Sequence, residues 1–209
     1  MDLTAQEIRR ALQRYGFTAQ PELCQKIQSY VDLLLLWNQR IGLTTVTQPQ
    51  EIVARHFGES VLAAQVFGVE RGRLADLGSG AGFPGLVLRM ACPGLEVVLI
   101  EANRRKCVFL AEVCRRLQLS RVDIRTSRFE ELAPAALGVD YITVRALRIT
   151  ETLLEWASHA LKPSGKLILW LGLEDANRVQ QMRGWEWSTP VRIPWAKRRV
   201  ILRGALRST

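Results

Sequence analysis

The chain has 209 residues, 48% of them hydrophobic, which suits one compact domain carrying a small helical extension. No apolar run approaches the ~18 residues that cross a bilayer, and Met1-Asp2-Leu3-Thr4 does not read as a secretory signal. The net charge of +9 points instead to a polyanionic partner, of which nucleic acid is the commonest.

In chain order, Thr4-x-x-Glu7 predicts a capping box that opens a first helix, running to about Tyr15 and stopping at Gly16. A second helix is expected from Pro21 to about Asn38, where Leu23, Ile27, Tyr30, Val31, Leu34 and Trp37 recur at helical spacing. A third, from about Gln50 to Phe67, would bury Ile52, Val53, Phe57, Val61 and Leu62. These three form an amino-terminal cap over residues 1–70 of a single 209-residue domain. From Arg73 onward, strands at 73–77, 96–100, 122–126, 140–144 and 166–171 alternate with helices at about 84–91, 104–118, 129–136 and 150–161. That alternation predicts an α/β fold with a parallel sheet covered on both faces. Two last strands, about Trp185–Ile193 and Lys197–Leu206, join near Pro194. Ligands in such sheets bind at the carboxyl ends of the strands, where Gly78, Glu101 and Arg145 fall.

The most informative stretch is Asp76-Leu77-Gly78-Ser79-Gly80-Ala81-Gly82-Phe83-Pro84-Gly85. Its glycines let the backbone turn tightly and approach a ligand where a Cβ would collide. Glu101 follows the next apolar run at roughly the 20-residue spacing where an acid meets ribose hydroxyls. Gly80-x-Gly82-x-x-Gly85 formally matches a dinucleotide fingerprint. The added Gly78 and the acid Asp76 shift the balance, because a carboxylate there repels a pyrophosphate and favours a sulfonium. S-adenosylmethionine is therefore expected ahead of a nicotinamide or flavin dinucleotide.

Charge is unevenly placed. Residues 1–60 hold six bases and six acids, whereas 103–128 and 178–209 carry eight bases each against two acids and one. Arg104, Arg105, Arg198 and Arg199 are candidate phosphate contacts; solvated helix faces are the competing reading. Cys24, Cys92, Cys107 and Cys114 lack C-x-x-C spacing and read as buried free thiols of a reducing cytosol. With His56 and His159 as the two histidines, no metal site is expected.

Trp37-Asn38-x-x-Ile41-x-Leu43-Thr44, Arg55-His56, the loop Asp76 to Gly85, Lys106-x-x-x-Leu110, Ser127-Arg128-x-Glu130 and Arg145-Ala146 come in an order that resembles the RsmG (glucose-inhibited division protein B) family. The resemblance covers about residues 30–172. It implies a class I methyltransferase (Rossmann-like) sheet, mostly parallel with a terminal antiparallel strand, beneath a helical cap. It also implies methyl transfer from S-adenosylmethionine to N7 of a guanine in 16S ribosomal RNA, with that RNA or the small ribosomal subunit as partner; independently of the resemblance, a cytoplasmic location and a monomer are expected. The cofactor positions it implies are Gly78, Phe83, Glu101, Ala102, Asn103, Phe129, Glu130 and Arg145, to which the loop chemistry adds Asp76 and Gly80.

Three positions depart from the family pattern: Gly42 replaces an asparagine, Glu59 replaces the aspartate of H-x-x-D-S, and Leu171 replaces a lysine after the fifth strand. The last keeps a small-molecule or protein substrate open as an alternative. Guanine N7 carries a free lone pair, so its methylation requires alignment and no general base. The chain carries neither an Asn/Asp-Pro-Pro-Tyr motif for amino-nitrogen methylation nor a Pro-Cys nucleophile, since Cys92-Pro93 is reversed. Guanine presents O6 and N7 as acceptors that suit arginine, which makes Arg145 and Arg128 the candidate catalytic residues.

Overall fold

The computed structural model describes residues 3–207. Thr4 caps α1 (Ala5–Gln13) through a reciprocal box in which its hydroxyl accepts from Glu7 N and its backbone N donates to Glu7. The helix stops at Gln13, one turn before Gly16. Helix α2 (Pro21–Ile41) runs a turn beyond Asn38 and ends at Gly42, which takes a left-handed φ of 58°. Glycine takes that conformation readily, and asparagine, expected there from the family pattern, tolerates it as well.

The expected third helix is interrupted. Helix α3 (Pro49–Ile52) passes into a π-helical stretch (Val53–Gly58) before α4 (Glu59–Phe67) resumes. A Cβ at Gly58 would lie 2.3 Å from the Tyr15 ring, so the glycine admits close packing of α1 against this stretch. The widened turn carries Arg55 and His56 and delivers Glu59 immediately after it; such bulges recur at functional sites.

The sheet is ordered β3-β2-β1-β4-β5-β8-β6, with β7 pairing β8. Strands β1 (Arg71–Leu77), β2 (Gly94–Ile100), β3 (Val122–Arg125), β4 (Val139–Arg145) and β5 (Leu161–Gly172) are parallel. Strand β8 (Arg199–Leu206) inserts antiparallel beside β5, and β6 (Trp185–Trp187) and β7 (Val191–Arg192) pair with it. The sequence reads β6 and β7 as one strand; Pro190 lies between them and has no N–H for a ladder. Helices α5 (Gly85–Ala91), α6 (Arg104–Arg116) and α7 (Glu151–Ala160) follow the alternation. Helix α8 (Leu173–Val179) was not visible in the sequence, because it buries only Ala176 and Val179. The helix expected over 129–136 is absent. Two 3-10 turns, Phe129–Glu131 and Pro134–Ala136, replace it, since Pro134 has no N–H and holds Ala133 extended at ψ 110°.

Strand alternation divides the interior. Leu95, Val97 and Leu99 of β2 join Ile168 and Trp170 of β5 in a core shared with the helical cap. Val98, Ile100, Leu167, Leu169 and Leu171 face the opposite core, beneath α7 and α8. Tyr30 of α2, fully buried, reaches from the cap to the loop after β1 and donates to Ala81 O at 2.6 Å. Tyr30→Phe leaves that carbonyl without its partner and should cost about 1–3 kcal/mol in denaturant unfolding; unchanged stability would exclude the hydroxyl as a fastening of the loop.

Candidate active site

The loop from Gly78 to Gly85 turns over the end of β2, where Gly78 N and Ser79 N both donate to Ile100 O, at 2.8 and 3.1 Å. Two of its glycines are explained by packing within the protein. A Cβ at Gly78 (φ +68°) would meet Leu147 at 2.9 Å, and one at Gly82 (φ +87°) would meet the Tyr30 hydroxyl at 2.3 Å. Gly80 shares a left-handed backbone (φ +56°), but a Cβ there would find only Gly78 O, at 3.8 Å, so the space beside it belongs to the cavity.

Asp76 corrects one expectation. Its carboxylate does not line the cavity but is buried beneath the loop, accepting from Thr143 Oγ1 at 2.7 Å and from Gly85 N at 3.3 Å. Burial raises its pKa to about 6, against the opposing pull of those hydrogen bonds. It ties the loop to β4 through Thr143. Asn103 is likewise outside the cavity lining; its side chain caps α6 by accepting from Arg105 N and Lys106 N.

Glu101 stands at the end of β2. One carboxylate oxygen accepts from Gly80 N and the other from Asn103 N, both at 2.8 Å. Two backbone donors thus fix its orientation, and each oxygen keeps a lone pair for another donor. The cavity beside it measures about 470 Å³, within the ~300–1,000 Å³ usual for small-molecule sites. Gly78, Gly80, Phe83, Glu101, Ala102 and Arg145 line it, with Arg128, Phe129 and Glu130 on the side formed by the first 3-10 turn. Phe83 is 7% exposed, its ring stacked between His56 (4.6 Å) and Tyr30 (5.4 Å), so it serves chiefly as the cavity floor.

Arg145 points toward the cap. Its Nη2 lies 3.2 Å from Glu59 Oε2, 3.1 Å from His56 Nδ1 and 3.2 Å from Arg55 O, while its buried Nη1 has no partner. Glu59 is 1% exposed and also receives Arg199, whose Nη1 donates to Oε2 at 3.0 Å and whose Nη2 makes a charge contact with Oε1 at 2.6 Å. Burial raises the Glu59 pKa and the two guanidiniums oppose that shift. Because arginine only donates, His56 Nδ1 must accept, and its Nε2 then carries the proton, 2.9 Å from Thr44 Oγ1. Burial and then the neighbouring Arg145, Arg55 and Arg199 push the imidazole pKa down to about 3.

His56, Thr44, Ser79 and Lys106 also line the cavity, although no role was assigned to them from sequence. The Leu43-Thr44 and Arg55-His56 pairs that carry the family resemblance are the signal in the sequence. Leu171 sits elsewhere, 8% exposed in the core beneath α7 and α8. Of the candidate phosphate contacts, Arg199 is committed to Glu59 and Arg198 pairs with Glu174, while Arg104 and Arg105 are exposed at the start of α6.

The family model for rRNA small subunit methyltransferase G matches residues 23–188. A "Ribosomal RNA small subunit methyltransferase G" of Stenotrophomonas maltophilia is 38% identical over 175 residues, covering 82% of this chain and 81% of its own. The chain belongs to this methyltransferase G family. Its relative of the same name from Xanthomonas axonopodis pv. citri is 36% identical over 185 residues, covering 87% of this chain and 85% of its own. A SAM-dependent methyltransferase from Aquifex aeolicus shares the fold, with a TM-score of 0.61 at 18% identity, covering 71% of this chain and 90% of that one.

Two measurements probe the cluster around Glu59. Imidazole nitrogen spectra should show His56 as the neutral Nε2–H form down to about pH 4; a titration near the ordinary 6.5 would mean that the site is open to water. Since the unfolded chain takes up this proton first, the stability contributed by His56 is present above about pH 6.5 and lost as pH falls toward 3. Glu59→Ala strands two arginines and should cost about 3–5 kcal/mol in equilibrium unfolding.

Proposed function

We propose that this methyltransferase G family member transfers a methyl group from S-adenosylmethionine to N7 of a guanine in small-subunit ribosomal RNA. We read it as a cytoplasmic monomer acting on that RNA or on the small subunit. The observation that carries the cofactor assignment is Glu101, held by Gly80 N and Asn103 N with lone pairs still open beside the cavity. Its carboxylate is suited to two ribose hydroxyls and unsuited to a nearby pyrophosphate. Three further features fit the group: the open space at Gly80, the unpartnered Nη1 of Arg145, and a volume suited to a nucleoside. When bound, S-adenosylmethionine supplies an electrophilic methyl on a sulfonium.

The chain's own residues do the rest by binding and alignment. The 3-10 turn at Phe129–Glu130, and Ala102 next to Glu101, line the cavity and would hold the nucleoside of the cofactor. Arg145 is anchored through Nη2, which leaves Nη1 as the donor for a ligand acceptor. Arg128, exposed and lining the cavity, is placed to meet the guanine's O6 or its phosphate. The reaction moves a methyl from sulfur to a free lone pair, so nothing here has to remove a proton before transfer.

Labelled methyl transfer to small-subunit RNA lacking the modification is the direct test, with the labelled nucleoside identified as 7-methylguanosine; label confined to protein or small molecules would return the alternative substrate classes. Glu101→Ala should weaken S-adenosylhomocysteine binding about tenfold or more, the scale of hydrogen bonds to a charged group. Arg145→Ala should depress turnover, and wild-type rates at subsaturating cofactor and RNA would remove it from the site.

A further inference from the structure

A second cleft lies on the far side of the Glu59 ion pairs. Arg55, Glu59 and Arg199 line it, whereas Arg145, which pairs with Glu59, and His56, which accepts from Arg145, line the cofactor cavity, so one layer of side chains separates the two. The cleft measures about 350 Å³ and is completed by Arg14, Tyr15 and Trp195 among others. Trp195 is the unusual member. It occupies the short turn between β7 and β8, where Ile193 is buried and Ala196 N donates to Ile193 O at 3.2 Å. That turn anchors the backbone and leaves the indole 75% exposed.

Two costs converge on this residue. A tryptophan this exposed forfeits the burial that normally retains it. Its φ of +67° also lies in the left-handed region that bulky residues avoid. Core packing explains neither. The Cζ of Arg14 stands 4.3 Å from the ring centroid, so one face meets a guanidinium. Arg10 lies one helical turn before Arg14, the C-cap residue of α1, and neither forms an ion pair among the described residues. Lys197 follows two residues after Trp195, also exposed. The acids of the cleft are already engaged, Glu51 with Arg55 and Glu59 with Arg145 and Arg199. An exposed aromatic face among uncommitted cations is the composition of a single-stranded nucleic-acid platform.

We propose that Trp195 and Arg14 form a second RNA contact, stacking one unpaired base close to the methylated guanine while Arg10, Arg14 and Lys197 neutralise adjoining phosphates. The inference rests on the ribosomal RNA reading above and adds to it a contact outside the methyl-transfer cavity. Stacking makes it tolerant of base identity, since every base presents a π-face. The cations make it sensitive to salt.

The test uses the full chain with deproteinised 16S ribosomal RNA lacking the modification, measured by filter binding across a salt series and by methyl transfer. Trp195→Ala should raise the RNA Kd about tenfold, the scale of losing one stacked base, and raise the KM for RNA in step. Its S-adenosylhomocysteine affinity, melting temperature and salt slope should stay at wild-type values, and Trp195→Phe should recover most of the loss. Arg14→Ala should flatten the log–log salt slope by about 0.7. Trp195→Ala matching the wild type in Kd and KM would overturn the platform, as would Trp195→Phe binding as weakly as alanine. Wild-type protein that transfers no methyl either to that RNA or to small subunits lacking the modification would overturn the ribosomal RNA reading itself, a result distinct from an active enzyme indifferent to Trp195.

Discussion

The buried carboxylate of Glu59 holds this molecule's two halves in register. It opens α4 in the cap, receives Arg145 from the end of β4 and Arg199 from the start of β8, and its backbone carbonyl accepts from Trp170 Nε1 of β5 at 3.2 Å. Three strands and the cap therefore meet at one residue. A buried acid between two arginines is not a cheap way to gain stability, because each charge loses its hydration. Its effect is positional. It fixes Arg145 against the cap through one nitrogen and leaves the other unpartnered. The neutral His56 belongs to the same arrangement, since a protonated ring would present a donor to a guanidinium.

The glycine loop divides its labour in a way that a motif cannot reveal. Gly82 and Gly85 are required by neighbours inside the protein, the Tyr30 hydroxyl in one case and Leu99 with Asp76 in the other. Gly80 alone of the cavity-lining glycines leaves open space where a Cβ would stand. Asp76 follows the same logic. Read as a charge, it suggested direct contact with a sulfonium; buried on β1 opposite Thr143 of β4, it fastens the loop instead. Motif spacing reports that a loop is constrained, and only packing distinguishes constraints set by the protein from those set by a ligand.

Much of the fold was legible because apolar periodicity and turn chemistry agreed. The parallel strands, the capping box at Thr4 and Glu7, and the cap helix starting at Pro21 all follow from local pattern. What escaped was set by tertiary contacts or by single residues. The π-helical stretch preserves the apolar pattern of a continuous helix, so local periodicity does not reveal it; Gly58 at its end packs against the Tyr15 ring. Pro134 breaks a segment whose composition otherwise reads as helix. In the site, Glu101 was legible from spacing, while His56 and Thr44 lie on the cap, far from the glycine loop in sequence, and no periodicity brings them to the cavity.

The distribution of charge also changes meaning once the chain is folded. Counted along the sequence, the carboxyl-terminal segment from Arg178 onward is one basic block. In the fold, Arg178 pairs with Asp175, Arg198 with Glu174 and Arg199 with Glu59, so part of that block neutralises acids elsewhere. The amino-terminal cap is neutral by count, yet it sets the Arg14 guanidinium over the Trp195 ring, with Arg10 one helical turn before it. Net charge by segment therefore misassigns the surfaces. A polyanion meets the cations left unpaired after folding, and here those come from the neutral cap as well as from the basic tail. The helical cap, which holds the glycine loop through Tyr30 and Arg145 through Glu59, is thus also positioned to help orient the RNA over the site it stabilises.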